Sequence, residues 1–391
     1  MDIQLLKEDD YLEALRLSEY AFQYRVPEEK IPARLEMLKS HKLLGIRDGG
    51  ELSAKLHIIP LDVYMNGESW PMGGLAGVAA YPEYRRSGYV TSLITKALSQ
   101  MQEDGQIVSL LAPFDFSFYR KFGWEILSDV RKISIEKMNL KFLSPQPGRI
   151  KRFSKAEHHD DIEEIYQKYC QNYTGMLVRE TKWWKEHVYD DLSHTAVYYN
   201  LSNEAQGYIL YSVKDRKMDI QEMIGLDQEA RIGLWNFVCQ HDSMADSVSV
   251  NISVHDPFPY YLNQPKLKTE TMPYFMCRIV NAKVCLEKFP FNRDAEPVFL
   301  HLEDPFCSWN NGSYLVGNNE VKEFKAKQGS HCVNPPKRGI QMTVNELSTI
   351  IFGYKRPADL YEMGLIKGSE EEINRFEALI PPLKSAFYDF F

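Results

Sequence analysis

The feature that most constrains the fold is the run Gly77-Val78-Ala79-Ala80-Tyr81-Pro82-Glu83-Tyr84-Arg85-Arg86-Ser87-Gly88-Tyr89-Val90-Thr91. It reads as an extended apolar segment that breaks at Pro82 and passes through a short basic loop straight into a helix. Behind the loop, Val90, Leu93, Ile94, Ala97, Leu98 and Met101 recur at helical spacing, and Gly105 closes the segment. A helix entered through Arg-Arg-Ser-Gly offers unpaired first-turn N–H groups and the positive end of its dipole to an anion. Gly88 keeps a Cβ out of the way, and Arg85 and Arg86 add cationic donors. A ligand carrying two phosphates fits such a head. A solvated basic turn capping an ordinary helix would use the same residues, so the surroundings must decide.

Those surroundings are a meander followed by a helix and a buried strand. Asp9-Asp10, then Leu12, Leu15, Tyr20 and Phe22, predict a capped first helix. Lys42 to Arg47 is extended, Asp48-Gly49-Gly50 is a hairpin turn, Leu52 to Met65 is a long strand, and Asn66-Gly67 turns the chain again before a strand over Gly74 to Ala80. After the amphipathic helix come a buried strand at Ile107 to Ala112, a short helical stretch through Tyr119 and a strand from Trp124. The order is repeated more loosely from Lys151 to about Val280. Helical patterns lie at Asp161 to Gln171, Lys182 to Tyr189 and Leu234 to Cys239, and strands at Thr195 to Tyr199, Gly207 to Val213, Asp219 to Ile224 and Val248 to Val254. From Asn281 the character changes. Short strands are expected at Ala282 to Leu286, Val298 to Leu302 and Tyr314 to Val316, and helices at Asn345 to Phe352 and Glu370 to Leu379. This predicts an α+β chain in three parts, 1–150, 151–280 and 281–391, the first two being mixed, largely antiparallel sheets flanked by helices.

Composition excludes several function classes. No run approaches the roughly 20 apolar residues of a membrane span. The acidic start, Met1-Asp2-Ile3-Gln4-Leu5, lacks the order of a signal peptide, so a cytoplasmic location is expected. With 46 basic against 54 acidic residues, nucleic acid is a poor partner. The six cysteines form no Cys-x-x-Cys pair, which predicts buried free thiols, and the adjacent His158 and His159 point away from a shared metal, so none is expected. No Gly-x-Ser-x-Gly elbow suggests a covalent serine mechanism.

On these residues the chain resembles the GNAT superfamily, whose coenzyme A loop reads Arg/Gln-x-x-Gly-x-Gly/Ala; here Arg85, Gly88 and Val90 stand in those places, the last where the family has a small residue. Phe114-Asp115-Phe116-Ser117-Phe118-Tyr119-Arg120-Lys121-Phe122-Gly123-Trp124 narrows the likeness, because it is similar to the Tyr-x-x-Phe-Gly segment of the Eis-like acetyltransferases. Met276 to Val280 and Val344 to Ser348 match that family too, as does the terminal Phe391. The resemblance implies a catalytic GNAT domain, a second GNAT-like domain and a sterol-carrier-like C-terminal domain. It implies acetyl-CoA as the cofactor and a small-molecule amine as acceptor, whether aminoglycoside, polyamine or lysine side chain. It also implies a homo-oligomer, often a hexamer.

The same resemblance assigns roles by position. Val78, Ala79 and Ala80 would pair with the pantetheine arm. Arg85, Arg86, Ser87, Gly88, Tyr89, Val90 and Thr91 would hold the diphosphate, and Phe114 and Asp115 would form a second cofactor contact. Tyr119 would be the general acid and the Phe391 carboxylate the general base, with Phe22 lining the amine pocket. From the residues alone, Tyr119 reads more readily as a core aromatic with a wet hydroxyl, and the aromatic tail as packing between domains or subunits. An apolar Phe390-Phe391 end docked in a cleft would have its carboxylate pKa raised toward that of a useful base. In the second unit, Asp227-Gln228-Glu229-Ala230-Arg231-Ile232-Gly233 stands where a phosphate loop belongs, but its Arg-to-Gly spacing is short and acidic residues crowd it, so no cofactor is expected there. Trp183-Trp184 reads as packing, with one indole able to border the substrate mouth. Two other functions compete: a lipid or sterol binder, and a non-catalytic assembly protein keeping a GNAT scaffold.

Overall fold

The computed structural model describes residues 2–154, 157–189, 193–317, 320–324 and 338–391, and among these the chain forms three mixed sheets flanked by helices. It opens with β1 (Ile3–Leu5), α1 (Tyr11–Phe22) and α2 (Ile31–Leu38), then runs the predicted meander β2 (Lys42–Asp48), β3 (Glu51–Met65) and β4 (Glu68–Ala80). Gly49 with Gly50 and Asn66 with Gly67 take the positive φ that the two hairpin turns require. The amphipathic helix is α3 (Tyr89–Glu103), whose Leu93, Ile94, Ala97, Leu98 and Met101 are buried over β2, β3 and β4. After it come β5 (Val108–Leu111), α4 (Phe116–Arg120) and β6 (Glu125–Ile126).

Beyond β6 the sheets exchange strands. The next strand, β7 (Asp129–Glu136), lies in the second sheet, with β8 (Arg149–Phe153), β9 (His194–Tyr199), β10 (Ala205–Lys214), β11 (Lys217–Gly225), β12 (Ser247–Ser253) and β13 (Lys268–Pro273), in the order β13-β7-β12-β11-β10-β9-β8. Its helices are α5 (Asp160–Cys170), α6 (Thr181–Trp183) continued by a π-helical turn Trp184–Val188, α7 (Gln228–Cys239) and α8 (Phe258–Tyr261). The chain then returns: β14 (Met276–Ile279) inserts into the first sheet between β5 and β6. β7 and β14 thus pair across the division expected at 150, and β8 straddles it.

The third unit contains α9 (Ala282–Lys288), β15 (Val298–Glu303), β16 (Gly312–Gly317), β17 (Glu320–Phe324), β18 (Ile340–Thr343), α10 (Val344–Ile351), α11 (Pro357–Glu362) and α12 (Glu370–Leu379). The strand expected at Ala282 to Leu286 is the helix α9. Asn281 caps it, its side chain accepting from the Val284 N–H at 3.2 Å, and Ala282, Cys285 and Leu286 form a buried helical stripe. A short apolar run fits both periods, and here the cap decides. The core of this unit fuses with the first sheet: Trp70, Leu110 and Phe275 share one cluster with Leu300, Tyr314 and Phe376.

Five cysteines are buried and free; Cys332 lies outside the described residues. Among the described residues no helix is long and apolar enough to cross a membrane.

Candidate active site

The site begins where β4 and β5 part. The two strands pair in parallel only from Met72–Gly74 to Val108–Leu110, so the backbone of Val78, Ala79 and Ala80 has no β5 partner. On its other flank β4 pairs with β3, but Lys55 faces Ala79 while His57 faces Ala76, so β4 carries one extra residue. This is a bulge, and it bends the strand out of the fork. Gly77 supplies it with a φ of +57°, and a Cβ there would come within 3.0 Å of Lys55 Nζ. A fork with one free strand edge accepts an extended ligand by backbone pairing.

Past the fork the chain reaches the head of α3. Gly88 starts the helix at φ +85° with no capping side chain, and Arg86 two residues earlier is also left-handed, at +65°. Alternating left-handed residues curl successive N–H groups toward one point, which makes an anion-binding concavity. Arg85, Arg86, Ser87 and Gly88 are exposed, and Val90 and Tyr89 are half-buried against the core. Ser87 donates to the Tyr84 carbonyl and the Tyr89 hydroxyl donates to Asp48 at 2.8 Å, so the loop is tied to the strands below it. The corresponding helix of the second sheet, α7, differs: the Asp227 carboxylate accepts from the Ala230 N–H at 2.7 Å and occupies the helix head itself. Asp115 has a similar capping role on α4, accepting from the Phe118 N–H at 2.8 Å and from the Ser117 hydroxyl at 2.7 Å. These hydrogen bonds hold its carboxyl below the usual range, so it carries a full charge.

Between fork and α1 lies a cavity of about 490 Å³ that brings Tyr119, Phe391, Phe22, Phe114 and Val78 together. Arg85 and Arg86 stand apart from it, on the loop. The Tyr119 ring is only 3% exposed, set edge-on to Phe114, Phe118 and Trp124, and burial pushes its phenol above the usual range. It is therefore protonated at neutral pH, as a proton donor must be. Phe391 sits at the apex of the fork. A Cβ on Gly74 would lie 2.9 Å from its ring, so the last β4 residue paired with β5 is a glycine because the C-terminal ring packs on it.

The tail is held by charge as well as by rings. Arg179 donates to Asp389 at 2.9 Å and pairs with Glu222, and all three side chains are buried. Tyr208 donates to Glu222 at 2.7 Å, and Trp183 Nε1 donates to Asp389, also at 2.7 Å. Trp183 thus borders the opening beside the cavity while Trp184 is fully buried. Sequence reasoning missed Arg179, Glu222 and Asp389, and it missed Ser18, Arg34, His41, Lys55 and His57 around the cavity. Lys55 and His57 did carry a signal, as a cation and an imidazole inside a strand whose neighbours are otherwise apolar.

Residues 2–127 match the acetyltransferase (GNAT) domain family, residues 175–279 match a second acetyltransferase (GNAT) domain family, and residues 282–388 match the sterol carrier protein domain. The N-acetyltransferase Eis of Mycobacterium tuberculosis is 23% identical over 305 residues, covering 72% of this chain and 74% of that protein. An uncharacterized N-acetyltransferase of Streptomyces avermitilis is 21% identical over 373 residues, 88% of this chain and 87% of its own length. Among solved structures, a probable N-acyltransferase from Enterococcus faecalis superposes with a TM-score of 0.90 at 24% identity, covering 100% of this chain and 99% of that one. Eis1 from Mycobacterium abscessus superposes with 0.84 at 20% identity, covering both chains fully (100% and 100%).

Proposed function

This chain is an N-acetyltransferase of the GNAT superfamily, Eis-like in its two acetyltransferase domains and sterol-carrier domain, and on that footing we propose that it transfers acetyl from acetyl-CoA directly to a primary amine. The observation that carries the reading is the convergence of three features: a helix head free of any side-chain cap, a fork with an unpaired β4 edge, and a cavity at the fork lined by Tyr119 and Phe391. The cofactor fits these residues. The N–H groups from Ser87 to Thr91, with Arg85 and Arg86, would hold the diphosphate, and the backbone of Val78 to Ala80 would pair with the pantetheine arm. When bound, the coenzyme supplies an activated acetyl thioester.

The chain supplies the rest. Phe22 lines the cavity that would take the acceptor, and Phe114, beside Asp115, would contact the cofactor. The carboxylate of Phe391 takes a proton from the acceptor nitrogen, and Tyr119 gives one to the departing sulfur. Asp227 fills the helix head of the second sheet, so that sheet serves to anchor the tail rather than to hold a second cofactor. The lipid-carrier alternative rests on the sterol-carrier match of residues 282–388, a unit whose core is continuous with that of the first sheet.

Thiol release from acetyl-CoA against an amine panel tests the reading. Turnover with at least one amine is expected, falling on the order of 10²-fold or more for Tyr119→Phe and for a variant lacking Phe391. Full activity in both variants would remove the assigned roles, and no thiol release with any amine would remove the reaction.

A further inference from the structure

Lys55 and His57 stand two residues apart on one face of β3, beneath the bulge at Gly77, and the chemistry above does not use them. Lys55 Nζ donates to Ser18 Oγ on α1 at 2.6 Å and lies 2.7 Å from His57 Nε2. His57 Nδ1 is in turn 3.5 Å from Nδ1 of His41, which precedes β2. Lys55 has no exposed surface, whereas Ser18, His41 and His57 border the acceptor cavity. A continuous line of polar side chains therefore runs from the cavity wall inward to a buried amine.

A buried ammonium normally stands beside a carboxylate. Lys55 has a hydroxyl and an imidazole instead. The charges bearing on the line are cationic: Arg34 of α2 acts on all three members, and His187 and Lys182 act on His41. Glu19 on α1 is engaged by Arg16 and by the Val26 N–H. Asp62, Glu180 and Glu186 border a neighbouring opening that His41 shares. Burial first, then these cations, bring Lys55 down to about 7 and His41 to about 4, and they lower His57 as well. A proton acceptor poised near neutrality is the kind a general-base step uses best.

We propose that His41, His57 and Lys55 form a proton relay that removes the first proton from the acceptor's ammonium and stores it on Lys55. This rests on the acetyl-transfer reading above. A primary ammonium must lose two protons to become an amide nitrogen, one before attack and one after the C–N bond forms. In the first loss an N–H bond of the acceptor breaks and its proton passes to His41 Nε2. His41 Nδ1 passes its own to His57 Nδ1, and His57 Nε2 passes its own to Lys55 Nζ. The acceptor is left as a neutral amine, Lys55 as an ammonium, and both imidazoles are neutral in the opposite tautomer. The second proton goes to the Phe391 carboxylate, Tyr119 delivers one to sulfur, and the balance of one leaves to water. His41 is the catalytic residue of the relay, since it meets the acceptor, and His57 and Lys55 act through it.

The test is the pH dependence of kcat/KM for the full-length enzyme with two acceptors of well-separated basicity, compared with Lys55→Met, Lys55→Arg and the half-exposed His41→Gln. The native enzyme should show a limb near neutral pH that stays in place when the acceptor changes. Lys55→Met and His41→Gln should lose that limb and fall on the order of 10²-fold above it, and Lys55→Arg, unable to give up its charge, should not rescue it. A limb retained in Lys55→Met, or in His41→Gln should Lys55→Met not fold, would overturn the relay, as would rescue by Lys55→Arg, while leaving acetyl transfer standing. Absence of thiol release by the native enzyme would overturn both.

Discussion

A single buried lysine makes the site's character measurable without any substrate. Lys55 titrates near 7 in the folded chain against 10.5 when free, because burial disfavours its charged form and Arg34 adds repulsion. Between those values the unfolded chain holds a proton that the folded chain does not, so the contribution of Lys55 to the unfolding free energy rises with pH from about 7 to about 10.5 and is flat below. Lys55→Met removes the term. Its advantage in stability over the native protein should be largest at and below neutral pH, on the order of 4 to 5 kcal/mol, and should shrink toward alkaline pH. Denaturant titrations of both proteins across that range check this, and a difference independent of pH would mean that Lys55 is charged in the fold. At this scale the site was legible through the family resemblance, which assigned positions rather than contacts. Tyr119, Phe391, Phe22 and Phe114 do meet at one cavity. Lys55 and His57 stood out only as polar residues in an apolar strand, because a strand periodicity assigns faces and gives no hint that Ser18, from a helix 37 residues earlier, completes the line.

At the scale of elements, the C-terminal tail is anchored by a buried charge cluster as well as by its rings. Arg179 lies between Asp389 and Glu222, with its guanidinium over the rings of Tyr166 and Trp184. Arg179→Met would leave two carboxylates buried without their cation, which typically costs about 3–5 kcal/mol. Arg216→Met is the matched control, because its pair with Asp246 is more than half exposed at 56% and 58%, and such pairs contribute roughly 0–1 kcal/mol. Chemical denaturation should show a large loss for the first and almost none for the second; equal effects would deny the cluster its role. The helices and hairpins of this chain were legible because turn residues and apolar stripes agree, as at Asn66-Gly67 and along α3. The segment at Ala282 was misread because five residues of apolar alternation cannot separate a strand from a capped helical turn, and the Asn281 cap only declares itself in three dimensions.

For the whole molecule, the three-part plan could be read from changes in pattern along the chain, but not the exchange of β7 and β14 between sheets. Strand partners are set by tertiary packing, and nothing local marks β14 as the strand that fills the gap between β5 and β6. The exchange has a functional consequence. β14 leads directly into the third unit, Ile279 donates its N–H to Ser348 of α10 at 2.9 Å, and the buried Arg278 binds Asp304, so the third unit is fixed to the sheet that carries the fork. The tail that leaves this unit pairs with Arg179, itself bound to Glu222 of the second sheet, and ends on Gly74. All three parts therefore converge on one cavity, and the account requires the coenzyme to reach it from the head of α3. A crystal structure with coenzyme A bound measures this directly. The diphosphate should lie against the N–H groups from Ser87 to Thr91, with the sulfur within hydrogen-bonding reach of the Tyr119 hydroxyl. A diphosphate bound at α7 or in the third unit, or a sulfur remote from Tyr119, would contradict the account.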